Sequence, residues 1–411
     1  MNRHEKEHSV GKWGTILLAG FIFSKLGAVL FKFICAGYFG PEEYGRVAVF
    51  LVLFTWLLLA ATLNVTFGLN KFVCAEPGKR KLYYRSSVVW CTLISLCVSA
   101  FVIIAGPHVF GALGGAAFSW ALAVSMPLAT FYNLAIFYMR ARCRMKASTI
   151  ADGLLMASRV VILAALIWFV PLGSAAPYAA FAGSFLLADL AICFFMGGRV
   201  EKAKGRSFAA FRVMAAYSLP IFIGEVLRFV SMDSDRLFLA AFHGTMKTGI
   251  YDIAASLCIG YVIIANAYGS ALFPAIAHKK SDRKRGLLNA LKPVAGLYAV
   301  YSIALALLAG PIAGFIGPEY YTITGFVPFV MAGGALTGIF TLLCFFVNAI
   351  NHQRQALYAS AVFAFLNLGM NLYLVPGMNY YGAALALVVS SAAACVFLSV
   401  QSLRAFRGAG K

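Results

Sequence analysis

Acidic residues are scarce in this chain: 14 Asp and Glu in 411 residues, against 34 Lys and Arg, with all charged residues together only 12% of the sequence. A catalytic centre built on paired carboxylates therefore has little to draw on, and Gly106 to Ala117, among the longest external joins, carries no carboxylate. This argues against a membrane glycosyltransferase or ligase and against any other enzyme. His is rarer still, and the six (4, 8, 108, 243, 278 and 352) are scattered through tails and loops. No CxxC occurs among the nine cysteines (35, 74, 91, 97, 143, 193, 258, 344 and 395), which lie in or beside apolar runs, so neither a metal site nor a disulfide framework is expected. No metal and no cofactor are implied. The chain also lacks a GxxxxGK[ST] loop, so a nucleotide-driven motor is excluded and any drive must come from an ion gradient or from consumption of a product.

What the chain has in abundance is apolar sequence, 62% of it, with a mean hydropathy of +0.85. That composition describes an all-α polytopic membrane protein. About twelve spans are expected, near 14–38, 46–70, 84–106, 116–139, 148–170, 176–196, 212–242, 248–277, 288–316, 322–350, 355–375 and 380–403. The first is read as a retained helix, since its 25 apolar residues follow a basic tail without a small-residue cleavage pattern. Three joins, at Gly40-Pro41, Gly317-Pro318 and Pro376-Gly377, are marked only by turn residues.

Basic residues crowd alternate loops: Lys71 to Arg85, Arg140 to Lys146, Arg199 to Arg212, Lys279 to Lys292, Arg354, and both tails, while only Arg46 and Lys247 fall near the other side. Lys and Arg near helix ends stay cytoplasmic. Both termini are thus expected in the cytoplasm of a cell membrane, and the net charge of +20 is topology signal plus attraction to anionic lipid headgroups, with no nucleic acid needed.

The two halves resemble each other. Gly45 in YFGPEEYGRVAVF and Gly249 in AFHGTMKTGIYDIA lie 204 residues apart, and Pro171 and Tyr178 match Pro376 and Tyr381 at nearly the same spacing. A duplication of six spans follows, with an N-terminal lobe over residues 1–204 and a C-terminal lobe over 205–411, joined by the basic segment Gly197 to Arg212.

Charges placed at membrane depth each cost about 2.5–3.5 kcal/mol on insertion scales. The seventh span nevertheless holds Glu225, Arg228, Asp233, Asp235 and Arg236, and with Ser218 most of these fall within about 100° on a helical wheel. Lys25 and Lys32 share a face of the first span, and Asp152 and Arg159 a face of the fifth. Lys25, Lys32, Arg159, Arg228 and Arg236 are the candidate substrate-binding cations, and Glu225 and Asp235 the candidate coupling carboxylates. Pairing inside the bundle is the competing role, Asp152 with Arg159, Glu225 with Arg228, and Lys25 with Asp189 or Glu225. Asn266, Asn348, Asn367 and Asn371 are read as hydrogen-bond ties between helices.

The order Pro220, Asp235-Arg236, Gly249-Ile-Tyr251, Asn348, Asn367 with Asn371, Val375-Pro376 and Tyr381-Gly-Ala-Ala384, together with the turn Phe39 to Gly45, resembles polysaccharide flippases of the multidrug/oligosaccharidyl-lipid/polysaccharide exporter superfamily. The resemblance implies two six-helix lobes around a central cavity and translocation of an undecaprenyl-diphosphate-linked oligosaccharide to the outer leaflet. Its implied partners are that lipid-linked substrate, membrane lipids, and polysaccharide polymerase and chain-length proteins. A cation-coupled multidrug antiporter and a lipid II flippase of the same superfamily are the alternatives. The first would favour a cavity biased to Asp and Glu, and the second usually carries two further spans.

Overall fold

The computed structural model describes residues 3–109, 111–142, 144–170, 172–196, 207–278, 283–350 and 352–408. Among these the only regular elements are helices: α1 (Arg3–Thr62), α2 (Val65–Ala75), α3 (Arg80–Val109), α4 (Gly111–Ala141), α5 (Met145–Phe169), α6 (Ala176–Met196), α7 (Ser207–His243), α8 (Thr245–Leu257), α9 (Ile259–His278), α10 (Arg283–Ile316), α11 (Ile323–Ala349) and α12 (Gln353–Gly408). Helices satisfy every backbone polar group within one segment, which a lipid environment demands. Ten stretches of the described residues are long and apolar enough to cross a membrane. The protein is a multi-pass membrane protein.

Two of those ten exceed one crossing by far, since a bilayer core of about 30 Å takes roughly 20 helical residues. α1 runs for 60 residues and is broken at Gly40 (φ 77°, ψ 173°); α12 runs for 56 and is broken at Asn379 (φ 55°, ψ −133°). The first break falls at the expected Gly40-Pro41 join. The second corrects the expected join at Pro376-Gly377, which stays helical. A helix tolerates proline at the loss of one donor, whereas a reversal of φ needs a residue that adopts the left-handed region, and Asn does so more readily than most. Lys247 Nζ donates to Asn379 Oδ1 at 2.7 Å, and His243 Nε2 lies 2.7 Å from the carbonyl oxygen of Val375.

Contacts divide the chain into two compact units, one of Met1–Cys35 with Phe50–Ile223, the other of Ala36–Val49 with Gly224–Lys411. The residue pair where α7 passes from one unit to the other, Ile223 and Gly224, follows shortly after Pro220, which sits inside an otherwise continuous helix. The expected lobe boundary at 204 lies in residues 197–206, outside the described residues. The first unit has a core of interlocked rings: Phe50 packs edge-on against Phe118 and Phe181, and Phe54 against Phe181. The second unit stacks Phe326 on Tyr380 at 4.5 Å between centroids and ties Tyr261 to Tyr298 and Tyr301. Rings at the helix ends, such as Trp168, Phe169 and Phe315, are almost fully exposed, as a lipid-facing surface allows.

Candidate functional site

The charges of α7 separate into three environments along the helix. In its first part, Ser218 Oγ accepts a hydrogen bond from the backbone N–H of Gly68 in α2 at 3.0 Å, and the Lys71 ammonium lies 3.8 Å from the centroid of the Tyr217 ring. Further on, Arg228 reaches back one turn to Glu225 at 2.6 Å, the i,i+3 geometry that neighbouring turns permit. This pair remains open: 46% of the Arg228 side chain and 29% of that of Glu225 are accessible. Another turn along, Arg236 engages Asp233 of its own helix at 2.9 Å and Asp252 of α8. Asp252 also accepts a hydrogen bond from the Tyr44 hydroxyl, and Asp235 accepts one from Tyr251 at 2.6 Å.

The single polar face expected for α7 is therefore not one lining. Ser218 is consumed against α2, and Asp235 and Arg236 against α8, while the Glu225 and Arg228 pair of that face stays accessible. Arg236 is a structural cation in this geometry: one guanidinium divides its donors between two carboxylates, which its planar fork suits and a lysine ammonium does not. Asp235 is 1% exposed, with Oδ1 lacking a hydrogen-bond partner.

Ser234 turns to the opposite side and donates to Asn367 Oδ1 at 2.8 Å. Asn371 donates to the same oxygen at 2.8 Å, and Asn367 Nδ2 donates to Ser390 Oγ at 3.3 Å. The expectation of a tie between helices is met at Asn367, whereas the bond of Asn371 runs to Asn367 one turn back on its own helix. Asn266 instead bonds within its own helix, to the carbonyl of Val262.

In the first unit, Lys25 and Lys32 of α1 are half-buried. Arg159 is 6% exposed; its Nε donates to Ser184 Oγ at 3.1 Å and its guanidinium stands 4.0 Å from the centroid of Phe181, with Phe185 and Phe31 close by. An aromatic cage of this kind stabilises a cation through the quadrupoles of the rings, more strongly when water is excluded. Arg159 thus sits inside the helix bundle of its own unit. The expected pairing of Asp152 with Arg159 is not made. Seven residues along a helix are roughly 10 Å, whereas Arg140, from α4, reaches Asp152 at 2.6 Å and the Tyr132 hydroxyl reaches it at 2.5 Å. Sequence reasoning missed Tyr44; its signal was position, beside the matched glycine Gly45.

Outside the spans, Glu76 joins α2 to α3: Lys79 and the Tyr83 hydroxyl both donate to it, and the Lys79 hydrogen bond above all holds its carboxyl below the usual carboxylate range.

The sequence profile described as polysaccharide biosynthesis protein matches residues 10–280. The chain belongs to this family. A curated relative, described as "Probable flippase AglR", from Haloferax volcanii, is 25% identical over 165 residues, which cover 38% of this chain and 34% of that protein. The chain thus aligns with about a third of that relative's length. Among solved structures, an inward-facing multidrug resistance MATE family transporter of the MOP superfamily superposes with a TM-score of 0.75 at 14% identity, covering 94% of this chain and 98% of that one. The lipid II flippase MurJ, in an inward closed conformation, gives 0.75 at 13% identity, covering 94% and 87%. The family member described here therefore has the fold of those transporters, as its motifs implied.

Proposed function

We propose that the protein is a flippase that moves an undecaprenyl-diphosphate-linked oligosaccharide from the cytoplasmic to the outer leaflet by alternating access through a basic cavity. Cutting α1 at Gly40 and α12 at Asn379 turns ten apolar stretches into twelve spans, arranged as lobes over 1–204 and 205–411 with both termini cytoplasmic. The carrying observation is the uneven use of charge. Arg159 and Arg236 are absorbed by partners inside their units, while Arg228 stays accessible beside Glu225 at membrane depth. Lys25, Lys32 and Arg228 are the substrate-binding cations in this reading, because a diphosphate crossing the bilayer needs donors that replace its water. Asp235, enclosed and with one oxygen unbonded, is the better-placed coupling carboxylate, since Glu225 is held by Arg228. Membrane lipids and the enzymes that polymerise the product and set its chain length are its partners in the cell membrane.

The deciding measurement is the leaflet distribution of a labelled lipid-linked oligosaccharide in proteoliposomes. Equilibration between leaflets with the wild type, and none with empty vesicles, is expected. Export of a cationic drug without sugar-lipid movement would favour the antiporter, and movement of lipid II alone the peptidoglycan-precursor flippase. Topology has its own check. Reporters fused after Lys81, Lys146, Arg206 and Lys284 should all read cytoplasmic, and those after Ala112 and Pro318 external. A single external signal in the first group would break the loop parity on which the lobes rest.

A further inference from the structure

The geometry points to two glycine seals at the ends of one helical arm, opened alternately as the protein works. The arm is the stretch from Pro41 to Ala75: the part of α1 after the Gly40 break, then α2, with Leu63 and Asn64 between them at positive φ (45° and 53°).

The first end of the arm packs within the second unit, to which Ala36–Val49 belongs. A Cβ placed on Gly45 would stand 1.7 Å from the carbonyl oxygen of Thr245, and one on Gly249 would stand 2.2 Å from the carbonyl oxygen of Pro41. The two backbones touch, with no room for a side chain on either. Gly40 and Gly244 precede the crossing with the same dihedrals (φ 77°, ψ 173° and φ 82°, ψ 175°), and each pair is 204 residues apart. The contact therefore joins like segments of the two sequence copies, and Tyr44 clamps it through Asp252.

The other end of the arm packs within the first unit against the start of α7, which belongs to the second copy. A Cβ on Gly68 would meet the carbonyl oxygen of Met214 at 2.7 Å, and the Gly68 N–H is bonded to Ser218. One arm thus holds the opposite sequence copy at both ends, with a backbone break between the two holds. Glycine contacts of this type are made by backbone approach and not by interlocked side chains, so they part and re-form without repacking a core. A transporter that exposes its site to one side at a time has to release one hold while keeping the other.

The inference rests on the alternating-access reading but is tested without substrate. In a cysteine-free background, a single cysteine replacing Phe229, beside Arg228, is labelled with a membrane-impermeant maleimide from either side of oriented vesicles. Gly45→Ala should raise the ratio of outer to inner labelling about tenfold and Gly68→Ala should lower it about tenfold, which is what a bias of one decade in the two-state equilibrium gives. Tyr44→Phe and Ser218→Ala, which remove one hydrogen bond each and add no atoms, should shift the ratio in the same two directions by a smaller factor; they decide the matter if the alanine variants do not accumulate. Opposite shifts at the two ends support the seals. Shifts in the same direction, or none in folded protein, overturn them. Opposite shifts in a protein that moves no lipid-linked sugar would leave the seals standing and remove the flippase reading.

Discussion

Replacing Arg236 by Met should cost about 3–5 kcal/mol of stability, the range for removing one partner of a buried ion pair. The side chain is only 12% accessible, and removing it takes the guanidinium away from Asp252, itself 2% accessible. Thermal unfolding in detergent, followed by the loss of the monodisperse peak on size exclusion, should show a large drop in midpoint. Arg236→Lys should recover only part of the loss, because an ammonium keeps the charge but lacks the planar fork that spans both carboxylates. Adding Asp252→Asn to Arg236→Met should recover more than the lysine does, since the uncompensated charge is then gone. A midpoint unchanged by Arg236→Met would mean that the carboxylates are solvated, and that Arg236 returns to the candidate binding cations.

The opposite pattern is expected at Arg228. Its Gln variant should insert and unfold like the wild type, because the guanidinium is nearly half accessible and its partner, Glu225, is on the same helix and also reaches solvent. Translocation should nevertheless fall, by about 10- to 100-fold in apparent affinity, if a charge-assisted bond worth about 1.5–3 kcal/mol is lost. Lys25→Gln should behave in the same way, and Lys25→Arg should keep part of the activity. Initial rates of leaflet exchange over a range of substrate densities separate an affinity loss from a slower cycle. Full transport by Arg228→Gln would sink the assignment of this residue to the substrate.

These two arginines show what could be read from the sequence and what could not. Glu225 and Arg228 share a helix at i,i+3, so their pairing follows from spacing. Arg236 and Asp252 sit on different helices, and nothing in either span announces that they meet. Arg159 was harder, because its partners are rings: Phe31, Phe181 and Phe185 read as ordinary apolar residues of two other spans, and only packing makes them a cage for a cation. Spans bounded by charge were legible nearly to the residue, as with 288–316 against Leu287–Ile316 and 148–170 against Met145–Phe169. The last join was misplaced because Pro-Gly is the stronger turn signal, although the chain reverses φ at Asn379.

That position has a counterpart earlier in the chain. Gly173 and Asn379 have nearly the same φ (53° and 55°), each shortly before a long helical stretch, and they share no side chain. A positive φ is a demand that glycine and asparagine can both meet, so the residue at such a corner can change while the corner itself stays put.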